Sequence, residues 1–337
     1  MRNKNVDLLR FIGLALIILA HVDPPQIVFQ LRNFDVPLMV MIAGVSFGLS
    51  YRQESYGAYL WKRINRLVFP VWIFLTFYFT LLFTYGYPTK IPSFEIIVSS
   101  YLLLSGIGYV WIIRVFLLVA LAAPLIWTIS DHIGSNTRYL TVCGVVYIAY
   151  EVLMLITKSI SDSYVGTLLE ITLNYLLPYG IVFAVGLRLP SMTRQQIRSL
   201  CIGAFTVFIL ICGALYTEAE RFVPTQNYKY PPTAYYLSFA LACSTFLWLF
   251  SGRLLLSTKS KYLWKSIEFI AQNSIWIYLW HILMIDIIHF WFLIKYPLVF
   301  LLATLIVLVQ VTCVNRLILT RLDSITKRKF IQTLFTG

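Results

Sequence analysis

Long apolar runs repeated along the whole chain are the feature of this sequence that most restricts its fold. Of its 337 residues, 59% are hydrophobic and 12% are charged, whereas a soluble domain is charged at about one residue in four. Each run has about 20 residues, the length at which a helix crosses the hydrocarbon of a bilayer. The runs are continuous and do not alternate, which excludes a transmembrane barrel. The sequence therefore predicts an all-α, polytopic transmembrane helix bundle.

Ten segments are predicted to span the membrane. The stretch Ser93–Ser105 is apolar but too short to span, so it is predicted to form a short interfacial or re-entrant helix. No loop is long enough to hold a core of its own, so residues 1–337 are predicted to be a single transmembrane domain with no separate soluble domain. The predicted spans are 6–22, 34–50, 67–86, 109–129, 139–157, 171–188, 198–216, 233–250, 268–291 and 297–318.

Lysine and arginine are concentrated in alternate loops. Of the 27 cations, 19 fall in one set of loops and six in the other, and Arg10 and Arg114 lie inside spans. By the positive-inside rule this asymmetry predicts that both termini are cytoplasmic. The rule also accounts for the net charge of +13 without a nucleic-acid partner. The six outer cations are Arg32, Lys90, Lys158, Arg221, Lys229 and Lys295.

The first span carries two ionisable residues on one stripe. Arg10 and His21 are 11 residues apart, which returns to within about 20° of the same helix face after a rise of about 16 Å. Intramembrane ionisable groups are costly and often functional, and a histidine can accept and return a proton near neutral pH. Two simpler interpretations stay open: Arg10 could extend to lipid phosphate, and His21 could be an interfacial histidine.

A second basic group begins the third predicted span. Arg63 and Arg66 are three residues apart and share a helix face, next to Lys62. They suit a bidentate phosphate clamp, although a stop-transfer flank would also carry such charges.

The outer half of the predicted bundle collects further polar residues. They suggest a polar chamber that opens outward, because intramembrane polar groups usually face the interior. Structural pairing among them is the alternative. No cluster has metal-ligand spacing, so no metal is predicted. Candidate substrate-binding residues are Asp35, Trp111, Arg114 and His281.

Five segments together resemble the acyltransferase 3 family of bacterial membrane acyltransferases. That family has an Arg followed eleven residues later by His in its first helix, and it opens its second helix with a segment of the type Phe-His-Met-Pro-Leu-Phe-Phe-Phe-Ile-Ser-Gly. Two departures are Asp35 in place of histidine and Ala43 in place of serine. The similar segments here are Arg10/His21, Phe34–Gly44, Lys62–Trp72, Tyr109–Leu117 and Asn273–His281.

The resemblance implies an O-acyltransferase that moves an acyl group, commonly acetyl, from cytoplasmic acyl-coenzyme A to a hydroxyl of an envelope saccharide or glycolipid. Acetyl-CoA would be the donor co-substrate. His21 and Arg10 would be catalytic, with His21 as the general base, and Arg10, Arg63 and Arg66 would hold coenzyme A. A covalent acyl-histidine stays open.

The expected location is the bacterial cytoplasmic (inner) membrane, with the lipid bilayer as the surrounding partner and the formation of homo-oligomers left open. The alternative is a non-catalytic transporter of an anionic or acyl-carrier substrate, because intramembrane Arg and His suit transport too. Against it, the sequence lacks paired Gly/Pro-broken helices in corresponding halves.

Overall fold

The computed structural model describes residues 3–51, 53–86, 92–104, 106–159, 164–257 and 260–336. No β-strand occurs within these ranges. Several predicted features extend beyond them: both ends of the 1–337 domain, Ser105 at the end of the short helix, and the loop cation Lys90. The helices are α1 (Lys4–Ala20), α2 (Gln26–Leu31), α3 (Asp35–Ser50), α4 (Tyr56–Tyr85), α5 (Phe94–Tyr101), α6 (Trp111–His132), α7 (Asn136–Ser159), α8 (Tyr164–Arg188), α9 (Arg194–Ala219), α10 (Ala234–Ser257), α11 (Lys261–Gln272), α12 (Ser274–Ile287), α13 (Phe292–Cys313) and α14 (Ile325–Thr336).

The predicted all-α polytopic bundle is confirmed. Eight helices of the described chain are long and apolar enough to cross a membrane. Two further predicted spans correspond to shorter helices: α1 has 17 residues and α12 has 14. The short helix predicted at Ser93–Ser105 is present as the eight-residue α5.

Two predicted spans differ most from the observed helices, and the spans 171–188 and 233–250 are each seven residues too short at one end of α8 and α10. The third span does not begin at residue 67, because α4 starts at Tyr56, so the basic group at 62–66 lies on its first turns. The ninth span is not one helix over 268–291. Asn273 leaves the helical conformation (φ −103°, ψ 23°), and its side-chain amide donates to Phe269 O at 2.8 Å. Asparagine competes with the helix ladder in this way, so α11 ends and α12 starts anew at Ser274.

The chain divides into two compact units. Unit 1 comprises Met1–Gly13, Pro25–Gln53 and Leu118–Lys259. Its centre is a close crossing of α3 and α8, where a Cβ added to Gly44 would lie 2.2 Å from Phe183 O and one added to Gly186 would lie 2.0 Å from Met41 O. Only glycine at these positions lets the two backbones approach so closely, as is common between membrane helices.

Arg188, the last residue of α8, joins that helix to the turn between α6 and α7, which also belongs to unit 1. The Arg188 guanidinium donates to Ser130 Oγ at 2.8 Å and also to the backbone carbonyls of Ser130 and Ile133. It lies 4.8 Å from the ring centroid of Tyr139. This helix-end cation therefore has a structural role.

Unit 2 comprises Leu14–Pro24, Glu54–Leu117 and Ser260–Gly337. Its short apolar helix α12 is held by tryptophans that hydrogen-bond to other helices of the unit. Trp276 Nε1 donates to Leu334 O at 2.9 Å, and Trp280 Nε1 donates to Gln310 Oε1 at 2.8 Å. Buried tryptophan needs such a partner, and the two bonds fix how α12 is rotated about its axis.

Candidate functional site

His21 and His281 are hydrogen-bonded to each other in unit 2. His21 follows the last residue of α1, and its backbone N–H donates to Ile18 O at 3.1 Å. Its Nδ1 lies 2.9 Å from His281 Nε2, with the two rings stacked at a centroid distance of 5.1 Å. His281 is 0% exposed, and its Nδ1 is hydrogen-bonded to Tyr278 O, one turn earlier on α12.

This chain of hydrogen bonds determines the proton positions in the neutral pair. A carbonyl oxygen can only accept, so His281 Nδ1 must carry the hydrogen that is donated to Tyr278 O. The lone pair of His281 then lies on Nε2, and His21 Nδ1 must donate to it. The lone pair of neutral His21 therefore lies on Nε2. The Tyr278 carbonyl and the buried His281 thus fix the tautomer and orientation of His21, as an orienting group does for a catalytic histidine in other enzymes.

Tyrosine rings contact this pair within unit 2, and an acidic side chain lies further along α12. The rings of Tyr109 and His21 are nearly perpendicular, with centroids 5.0 Å apart, and the Tyr109 carbonyl accepts a 2.6 Å hydrogen bond from Tyr278 OH. Asp286 Oδ2 accepts from Tyr78 OH at 2.8 Å. In the described part of the chain, no group of three or more His, Cys, Asp or Glu side chains could hold a metal ion.

Two predicted substrate-binding residues follow Tyr109 along the chain. Trp111 and Arg114 lie on the first turn of α6, two and five residues after Tyr109, and both side chains are half-buried. Of this segment, the contact with the histidine pair is made by Tyr109, which precedes α6. The contact of Trp111 and Arg114 with a substrate stays a prediction.

Arg10 lies in unit 1, earlier on α1, and its guanidinium points to another helix. Its Nη2 donates to Ser46 Oγ on α3 at 2.9 Å, and Ser46 Oγ donates in turn to Ile42 O. This contact lies within the protein, as expected for an intramembrane cation that faces the bundle. Arg10 on α1 and His21, directly after its last residue, thus contact different partners.

The basic pair Arg63 and Arg66 is on α4, in unit 2. The Arg63 guanidinium lies 4.9 Å from the ring centroid of Tyr59, one turn earlier. Within the described residues, its Nε is buried without a hydrogen-bond partner. Arg66 is exposed. The two arginines share one face of α4, as their spacing predicts.

Asp35 belongs to a buried charge network in unit 1. Its Oδ2 accepts from Arg32 Nη1 at 2.6 Å, and its Oδ1 lies 3.5 Å from Lys229 Nζ. All three side chains are at most 3% exposed. Burial lowers the pKa of Lys229 from its ordinary value, and the Asp35 charge opposes this shift. Asp35 is therefore paired with protein cations, and its role in binding a substrate stays a prediction.

Sequence reasoning missed several members of these clusters. It counted Arg32 and Lys229 only as cations of the outer loops, whereas the structure buries both. The three-residue spacing of Arg32 and Asp35 was a signal for their pairing, since such residues meet on a helical turn. No feature of the sequence indicated that Lys229 pairs with Asp35 or that the carbonyl of Tyr278 accepts from His281.

The comparisons with known proteins support one family. Residues 3–315, nearly the whole chain, match the model of the acyltransferase 3 family, described as an acyltransferase domain. No curated protein matches the chain, and no solved structure does. The match extends over the helices that carry Arg10, Arg63, His21 and His281. The chain therefore belongs to the acyltransferase 3 family and is a membrane acyltransferase.

Proposed function

We propose that this chain is an O-acetyltransferase that uses His21 as a general base. In this proposal it moves an acetyl group from cytoplasmic acetyl-CoA to a hydroxyl of a cell-envelope glycan or glycolipid. The observation that carries the proposal is the hydrogen-bond chain from Tyr278 O through His281 to His21, because it leaves a basic nitrogen on His21 in a fixed orientation.

The proposed reaction has two proton transfers. His21 Nε2 takes the proton of the acceptor hydroxyl while the oxygen attacks the thioester carbonyl carbon. The tetrahedral intermediate collapses, the C–S bond breaks, and the sulfur leaves with the proton returned by His21. The resulting imidazolium keeps its Nδ1–H bonded to His281 Nε2, and hydrogen bonds to a charged group are stronger than those between neutral groups. The histidine pair would therefore stabilise the charge that develops during the transfer.

Coenzyme A binding is assigned to Arg10, Arg63 and Arg66. Arg63 supports this assignment best, because its guanidinium lies 4.9 Å from the Tyr59 ring centroid and its Nε has no hydrogen-bond partner in the described chain. Arginine forms charge-assisted, often bidentate contacts with phosphate. Trp111 and Arg114 are proposed to contact the acceptor.

The decisive experiment compares His21→Gln with His289→Ala. Purified protein in lipid vesicles is supplied with isotope-labelled acetyl-CoA and envelope extract, and labelled glycans and lipids are measured by mass spectrometry. A positioned base contributes about 10²–10⁴-fold, so His21→Gln should lose nearly all transfer at normal abundance. His289, which is exposed after the end of α12, is the control and should keep its activity.

Near-normal transfer by His21→Gln would exclude His21 as the base. A wild-type protein that moves labelled acyl carrier across the vesicle membrane but releases no coenzyme A thiol would instead be a transporter. Both outcomes require the amount of protein to be measured beside activity, because an unstable variant would lose transfer for another reason.

We also propose that the chain lies in the cytoplasmic membrane with both termini inside, on the basis of the loop-charge asymmetry. Reporter fusions test this directly. A fusion at the C-terminus and one in the loop between α9 and α10 should report opposite sides of the membrane. The same side for both would exclude the proposed topology.

A further inference from the structure

Three arginines of unit 1 converge on one small pocket between neighbouring helices. Arg194 and Arg198 are one turn apart at the start of α9, and Arg253 comes from the end of α10. The pocket has a volume of about 230 Å³. The three side chains are exposed, so their charged groups are open to a ligand.

The described residues provide no counter-charge for this pocket. No described carboxylate lies within ion-pair distance of any of the three guanidinium groups. The start of α9 adds the positive end of its dipole. Three exposed like charges that line one small pocket repel one another, although solvent screens them, and an anion among them would relieve that repulsion.

The wall next to the arginines is apolar and faces outward. Ile202, one turn beyond Arg198, is 65% exposed, and Phe246 is 51% exposed. Both line the same pocket. The rings of Phe246 and Phe250 lie 4.5 Å apart, and the Arg253 guanidinium lies 5.4 Å from the Phe250 centroid. A ligand here meets cations at one end and hydrocarbon along the helices.

We propose that this pocket binds an anionic glycerophospholipid of the bilayer, with its phosphate among Arg194, Arg198 and Arg253 and an acyl chain along Ile202 and Phe246. Basic pockets between transmembrane helices recognise such headgroups. The bound lipid would neutralise the three cations and fill the outward face of α9, a helix with few buried residues. The site is separate from the histidine pair and does not depend on the proposed chemistry.

The test measures lipid binding to the full-length protein in detergent by native mass spectrometry. The probes are phosphatidylglycerol, which is anionic, phosphatidylcholine, which is zwitterionic, and inorganic phosphate alone. The triple variant Arg194→Ala, Arg198→Ala, Arg253→Ala is compared with Arg316→Ala, Arg321→Ala, Lys327→Ala. The control variant removes the same charge from exposed positions elsewhere.

We expect wild type and control variant to retain phosphatidylglycerol and to unfold at a higher temperature when it is added. The pocket variant should bind it at least tenfold more weakly, since each decade corresponds to about 1.4 kcal/mol and each arginine–phosphate contact contributes at least that much. Equal binding by pocket and control variants would overturn the proposal. So would equal protection by phosphatidylcholine, or by inorganic phosphate without lipid.

Discussion

Replacing His281 tests whether catalysis by His21 depends on its hydrogen bond to His281. His281 accepts from His21 Nδ1 at 2.9 Å and is 0% exposed, so no water replaces the lost acceptor without rearrangement. Asparagine is too short to place its oxygen where His281 Nε2 lies, whereas the longer glutamine can. We therefore expect His281→Asn to lose most of the turnover and His281→Gln to keep more of it.

The size of the loss follows from how the bond changes during the reaction. A hydrogen bond between neutral groups contributes about 0.5–1.5 kcal/mol, and one to a charged group about 1.5–3 kcal/mol. The bond would therefore stabilise the imidazolium state by about 1–1.5 kcal/mol more than the ground state, which corresponds to a five- to tenfold effect on kcat at about 1.4 kcal/mol per decade. If the His21 ring also became free to rotate, kcat would fall further, toward the 10²–10⁴-fold loss expected for a displaced base.

The assay is steady-state release of coenzyme A thiol in vesicles that contain envelope acceptor, with kcat normalised to folded protein. KM for acetyl-CoA should change little, because His281 is expected to act through His21 and not on the donor. Full activity of His281→Asn would refute the reasoning. Equal inactivity of the Asn and Gln variants at normal abundance would refute the assigned acceptor role.

Three further substitutions test the rest of the structure. Asp35→Ala should lower the free energy of unfolding by about 3–5 kcal/mol, because it leaves two buried cations without their carboxylate, whereas Lys229→Met keeps one pair and should cost less. Gly186→Leu should destabilise by about 1–3 kcal/mol through overpacking, since its Cβ would lie 2.0 Å from a backbone carbonyl of α3; Gly213→Leu, with nothing within 4 Å, is the control. Arg63→Ala should raise KM for acetyl-CoA about 10- to 100-fold by removing a charge-assisted phosphate contact.

Each of these has a clear contrary result. Thermal unfolding in detergent measures the first two: equal losses for Asp35→Ala and Lys229→Met, or for Gly186→Leu and Gly213→Leu, would contradict them. Steady-state kinetics measure the third. An unchanged KM for the donor would return Arg63 to the role of a topology-determining flank.

Much of the fold was accessible from the sequence because a bilayer imposes strong rules on a chain. Apolar runs of spanning length must form helices, since backbone groups find no water in hydrocarbon. The spans at α3, α6, α7 and α9 were predicted within about four residues at each end, whereas α8 begins earlier and α10 ends later than predicted. The break at Asn273 was missed because its neighbours are apolar and helix-forming, and only the local hydrogen bond to Phe269 O ends α11 there.

Pairing within the candidate site was less accessible. Hydropathy does not distinguish a helix face that meets lipid from one that meets another helix, because both are apolar. His21 and His281 were each recognised as candidates, but their direct bond joins residues 260 positions apart. The same holds for Lys229, which comes from a loop and reaches Asp35 from 194 positions away.

The sequence by itself determined the transmembrane helix class, the resemblance to the family, and the eleven-residue spacing of Arg10 and His21 in the first predicted span. The helix class follows from composition and the length of the apolar runs, and the resemblance follows from short motifs, all of which are properties of consecutive residues. Only the tertiary structure decided which nitrogen of His21 is basic, which cations are buried around Asp35, and where three arginines meet between α9 and α10. Each of these depends on how helices that are distant in the chain pack together, and packing is set by side-chain shape and hydrogen bonding across helices that periodicity does not encode.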